Sequence, residues 1–174
     1  MLRPGFPPVT PGFHRHRKVG VYWAARPYDA GGSRGLPGGS RVVTPNPSCS
    51  WSGSAVEDAD HILVTCPFAV TIWRWIWSWC GLRDQNHQSV NDILLSIGAL
   101  DGNKKKKILI GAISYGTLWC LWKARNDRTY NKRFSSASRT TDDILSLTFL
   151  WLKHRGNLGV CDWTRWCISP FNCL

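Results

Sequence analysis

Three side chains in one short stretch could hold a metal ion. Cys49, His61 and Cys66 bracket "CSWSGSAVEDADHILVTC". Thiolate sulfur and imidazole nitrogen are the donors zinc takes, and a structural zinc site normally closes with four of them. The Cys-x-x-Cys expected at its start reads Cys49-Ser-Trp-Ser52. A neutral serine hydroxyl is a poor zinc donor beside a thiolate. The stretch therefore predicts zinc held weakly or lost, with Cys80 or Glu57 as the donor that would complete a tight site. The alternative is a plain helix-start thiol at Cys66 and a surface histidine at His61. Cys66 stands just before Pro67, where a helix dipole would favour its thiolate.

The second candidate chemistry is charge. The chain has 174 residues, enough for one modest domain plus tails, and a formal net charge of +11. That balance favours polyanions such as RNA, DNA or an anionic membrane, and says nothing about fold. The candidate phosphate contacts are Arg74, Lys104, Lys105, Lys106, Lys107, Lys123, Arg125, Arg128, Lys132 and Arg133. Each has plain solvation as its simpler role. Seven cysteines is an odd number, and "MLRPGFPPVTPGF" has no apolar signal region. Both point to an intracellular chain, in the nucleus or cytoplasm and not secreted, with reduced thiols.

These groups need elements to position them. Residues 1–48 are rich in Pro and Gly, with seven basic residues and one acid. Such a segment cannot bury enough apolar surface to offset chain entropy, so disorder is expected there. Beyond it the chain reads as all-α, a small domain of about four helices over residues 49–170 with a degenerate zinc-knuckle-like start. In "PFAVTIWRWIWSWC", Phe68, Ile72, Trp75, Ile76 and Trp79 fall inside about 100° of a helical wheel. Strand alternation fails, because Ile72 and Ile76 would share a face with Arg74 and Ser78. Pro67 suits the first helical position. Trp73 and Trp77 are left on the far side, surplus to a small core and available to dock on a partner.

"SVNDILLSIGAL" predicts a short helix capped by Ser89 or Asn91. After the turn signal at 101–103 comes the longest periodic segment. Ile108, Ala112, Tyr115, Trp119, Trp122, Asn126 and Tyr130 hold one stripe for about six turns. Gly111 and Gly116 weaken that helix by roughly 1 kcal/mol each, a cost that a close helix approach would explain. Its apolar run, Ile108 to Trp122, is well short of the roughly 20 residues of a membrane span. "TTDDILSLTFLWLKHRG" predicts a helix capped by Thr140 or Thr141, stopped at Gly156, with Ile144, Leu147, Thr148 and Trp151 inward. The end, "DWTRWCISPFNCL", reads as an aromatic turn or tail.

From Cys49 onward the chain resembles the C-terminal zinc-binding domain of reverse transcriptases from plant non-LTR (LINE-type) retrotransposons. The family pattern is Cys-x-x-Cys, an acidic residue, His-x4-Cys-Pro-x-Ala, a Trp-containing helix, then Trp-x-x-Trp-Lys-x-Arg-Asn. Here those parts are "EDADHILVTCPFAVTIW" and "LWCLWKARNDRTY", with "FLWLKHR" and "WTRWC" following. The resemblance implies Cys49, His61 and Cys66 as zinc ligands, with Ser52 in the place of the fourth. It also implies an accessory nucleic-acid role beside an upstream polymerase domain. A polymerase needs paired aspartates for two magnesium ions. The one Asp-Asp, Asp142–Asp143, lacks the preceding aromatic and opens a helix. No phosphate-cradling loop, hydrolase triad or dehydrogenase fingerprint occurs. The expectation is a non-catalytic reverse-transcriptase fragment with no small-molecule substrate. Its rival is a metal-free helical interaction module docking through Trp73 and Trp77.

Overall fold

The computed structural model describes residues 48–53, 56–102, 104–155, 159 and 161–174. The disorder expected for residues 1–48 lies, except for Ser48, outside them, as does Gly156. Among the described residues the fold is all-helical. A π-helical turn, His61–Thr65, leads into α1 (Pro67–Trp79). Then come α2 (Val90–Ala99), α3 (Lys104–Tyr130), α4 (Ala137–His154) and α5 (Trp163–Ile168). The aromatic tail is thus more ordered than expected: Asp162 caps α5, and a 3-10 turn, Pro170–Cys173, follows. None of the described helices is long and apolar enough to cross a membrane.

The long helix α3 packs against α4, and α1 also packs against α4. Pro67 occupies the first turn of α1 as its missing N–H allows. The buried side of α1 differs from the expected one. Trp73 and Trp77 are buried with Ile72, Ile76 and Trp79, whereas Phe68 and Trp75 are only half-buried. Trp73 and Trp77 stack on each other with ring centroids 5.0 Å apart. Docking through those two rings therefore has no surface to use. A helix apolar around most of its circumference leaves the wheel undecided. Hydrogen bonding decides it: the Trp73 indole donates to the Leu63 carbonyl at 2.8 Å.

Helix α3 is likewise turned from its most regular stripe. Ile108, Tyr115, Trp119, Trp122 and Tyr130 face outward, and Ala112 and Asn126 are half-buried. The buried face is Leu109, Ile110, Ile113, Ser114, Gly116, Thr117, Cys120, Leu121 and Ala124. Small residues on that face let α4 come close. A methyl at Gly116 would collide with Thr148 Cγ2, so this glycine has the role expected of it; a methyl at Gly111 would meet no neighbouring side chain or other element within 4 Å. The buried hydroxyls of Ser114 and Thr117 donate to their own helix carbonyls, Ile110 and Ile113.

Ser136, not Thr140 or Thr141, caps α4 by accepting from the Arg139 N–H. The two threonines are buried one turn inside, donating to the Ser136 and Ala137 carbonyls. The inward face is consequently Ile144, Leu145, Thr148, Phe149 and Leu152, with Leu147 and Trp151 half-buried. In α2 the expected Ser89 cap forms, as a capping box with Asp92. The tail is fastened by Trp166, wholly buried, whose indole donates to the Leu145 carbonyl. Cys161 and Cys173, with Cα atoms 5.1 Å apart, are joined as a disulfide, contrary to the expectation that all thiols are reduced; five cysteines are free.

The two glycines of α3 separate packing from propensity. Gly116→Ala should destabilise by about 1–3 kcal/mol through overpacking against Thr148. Gly111→Ala should stabilise by about 0.5–1 kcal/mol, since only backbone entropy changes. Urea denaturation of the two variants checks both signs.

Candidate metal centre

The site is assembled from a loop, a turn and a helix start. Ser48 and Val56 pair in a single antiparallel bridge. Between them the chain reverses at Gly53, whose φ of +68° suits glycine and whose N–H bonds the Cys49 carbonyl. The ring of Trp51 stacks on Phe68 at 4.3 Å and ties this loop to the first turn of α1. The Trp51 N–H in turn points at the Cys49 sulfur, 3.4 Å away.

The spacing of His61 and Cys66 has a direct structural meaning. The Cys66 N–H donates to the His61 carbonyl at 2.7 Å, an i to i+5 bond that closes the π-helical turn. Both residues thereby sit at the ends of one turn. Cys66 is also the N-cap of α1.

The ligand atoms of Cys49, His61 and Cys66 all lie within 4.8 Å of one another, and the three could hold a metal ion. The two sulfurs are 3.8 Å apart. A tetrahedral zinc with bonds of about 2.3 Å sets its sulfurs at about 3.8 Å, so the group has the size of a zinc site. Ser52 comes to the same place, its hydroxyl 3.3 Å from His61 Nε2. Thr65 Oγ1 stands 3.4 Å from the other ring nitrogen, Nδ1, as a group that can orient the imidazole. The two substitutes weighed from the sequence are elsewhere. Cys80 is fully buried at the far end of α1. Glu57 turns to Arg125 and accepts from the Ser50 N–H.

The two thiols are unequal. Burial works against ionising Cys49, but the Ser52 and Trp51 amides, the Ser52 hydroxyl and His61 outweigh it and bring the thiol down to about 7. Burial pushes Cys66 up to about 11, helped by the charge of Cys49, against the amides of Phe68 and Ala69 at the start of α1. The dipole effect expected at Cys66 is present but outweighed. A cation seated between the sulfurs must displace the Cys66 proton.

The basic candidates scatter over several roles. Arg125 forms a partly buried ion pair with Glu57 and lies over the Tyr130 ring. Arg74 pairs with Asp84, Lys123 with Asp127, and Lys107 donates to the Gly98 carbonyl. Lys106 lies over Phe171 and Arg128 over Phe134. Lys104, Lys105, Lys132 and Arg133 are exposed. Sequence reasoning missed the Glu57–Arg125 pair. Its signal was the presence of opposite charges in the two most distinctive segments, 68 residues apart. No protein-family model, curated protein or solved structure matches the chain.

Removing one member of the Glu57–Arg125 pair leaves the other's charge partly buried without its partner. Arg125→Ala should cost on the order of 3 kcal/mol in chemical denaturation, whereas Arg74→Ala, at an exposed pair, should cost under about 1 kcal/mol. Equal costs would contradict a structural role for Arg125.

Proposed function

We propose that this chain is a non-catalytic, zinc-binding helical module derived from a retrotransposon reverse transcriptase, with an accessory role in binding nucleic acid. The observation that carries the reading is the convergence of Cys49, His61 and Cys66 on one point. Those are the residues the resemblance assigns as ligands. Further support comes from Glu57 and Arg125, which belong to the two quoted motifs and clasp each other across the fold. The cation would be structural. It would join the loop at Cys49 to the π-helical turn and to α1, adding folding energy by mass action. With three strong donors and the Ser52 hydroxyl, zinc is held more weakly than in a closed four-ligand site. The net charge of +11 suits a polyanionic partner, whether template RNA or target DNA.

Elemental analysis after gel filtration tests the metal. The unsubstituted chain should carry substoichiometric zinc, Ser52→Cys about one equivalent, and His61→Ala none. Zinc affinity should rise with pH, because binding displaces the Cys66 proton. Tight one-to-one zinc in the unsubstituted chain, or no gain on Ser52→Cys, would contradict this account of Ser52.

A further inference from the structure

The outward face of α3 is unlike a solvated helix surface. Ile108, Tyr115, Trp119, Trp122 and Tyr130 recur along it, and Tyr115 and Trp122 are 57% and 48% exposed. Trp119 and Trp122 stack on each other with centroids 5.1 Å apart, a two-ring platform formed before any partner arrives. At 1.5 Å per residue the stripe runs about 33 Å. On a helical wheel Lys104 falls within its arc of about 80°, Lys105 and Lys123 lie about 20° beyond one edge, and the one acid of the helix, Asp127, lies about 60° beyond that edge. The whole of α3 carries seven basic residues against Asp127. Lys123 is engaged with Asp127, but in an exposed i, i+4 pair of the kind that is readily exchanged.

The nature of the partner follows from those charges. A second copy of this chain would bring two strongly basic helices together and repel. A protein partner would need an acidic face to match. A single strand of nucleic acid supplies both complements at once, phosphates for the lysines and flat bases for the rings. A duplex hides its base faces and could use only the lysines. We infer that the exposed face of α3 binds single-stranded nucleic acid, with bases stacking on the Trp119–Trp122 platform and Tyr115, and phosphates meeting Lys104, Lys105 and Lys123. This inference rests on the accessory nucleic-acid role proposed above, and it assigns that role to side chains other than the metal group and Arg125.

Fluorescence anisotropy of the full chain with labelled oligouridylate and oligothymidylate of about 12 nucleotides tests it. Binding should weaken at least about tenfold from roughly 50 to 200 mM salt. Trp119→Ala/Trp122→Ala should weaken it a further tenfold or more, about the loss of one stacked base. Lys104→Gln/Lys105→Gln should flatten the salt dependence. If the double alanine variant does not fold, Trp122→Leu keeps apolar area while removing the stacking face, and should still weaken binding. Wild-type binding that survives these aromatic substitutions would overturn the α3 site and leave the nucleic-acid reading standing. No oligonucleotide binding at low salt would overturn both. Preference for duplex, or a dimer by light scattering that Trp122→Leu abolishes, would overturn the single-strand assignment.

Discussion

A buried indole must give its N–H to an acceptor, and much of this fold is arranged around that need. Three indoles are donors across element boundaries. Trp73 reaches the Leu63 carbonyl in the π-helical turn, Trp79 the Trp166 carbonyl in α5, and Trp166 the Leu145 carbonyl in α4. Each bond also orients a large ring: Trp79 and Trp166 meet edge to face at 4.9 Å. Together they set the roll of α1 and fasten the tail to two helices. The indole of Trp77 is the exception, with no acceptor for its N–H among the described residues. Its ring is instead covered by Trp73 on one side and His87 on another.

The metal group inherits its geometry from this arrangement. The Trp73 bond holds the turn that carries His61 against α1, whose first amides face Cys66. The remaining ligand, Cys49, is placed by the Trp51–Phe68 stack and by Glu57, which Arg125 anchors to α3. The three donors are therefore gathered by packing and an ion pair.

Helix α3 divides its labour between two faces. The inner face is built from small and aliphatic residues, with hydroxyls returned to the helix's own carbonyls, so α4 can pack closely at Gly116. The outer face keeps the rings. Period alone would send the more regular stripe inward, since aromatic side chains bury more area. Close approach decides otherwise. Two long helices gain more contact through Gly116, Thr117 and Cys120 than bulky rings would allow, and the rings are left outside.

The sequence by itself determined the helical class, the start of α1 at Pro67, a cap at Ser89 or Asn91, the Cys49, His61 and Cys66 group that could hold a metal, and Gly111 and Gly116 as the places where another helix could come close, of which Gly116 is the one used. All rest on local chemistry: a period, a missing N–H, a side-chain acceptor, a donor type, an absent Cβ. Tertiary structure alone decided which side of α1, α3 and α4 is buried. In α1 and α3 more than one arc is apolar, and the choice depends on hydrogen-bond acceptors and neighbours far along the chain. It also decided that Ser136 begins α4, that the tail folds, that Cys161 meets Cys173, and that Arg125 serves Glu57. Those outcomes depend on distances between segments, which a linear order of residues does not contain.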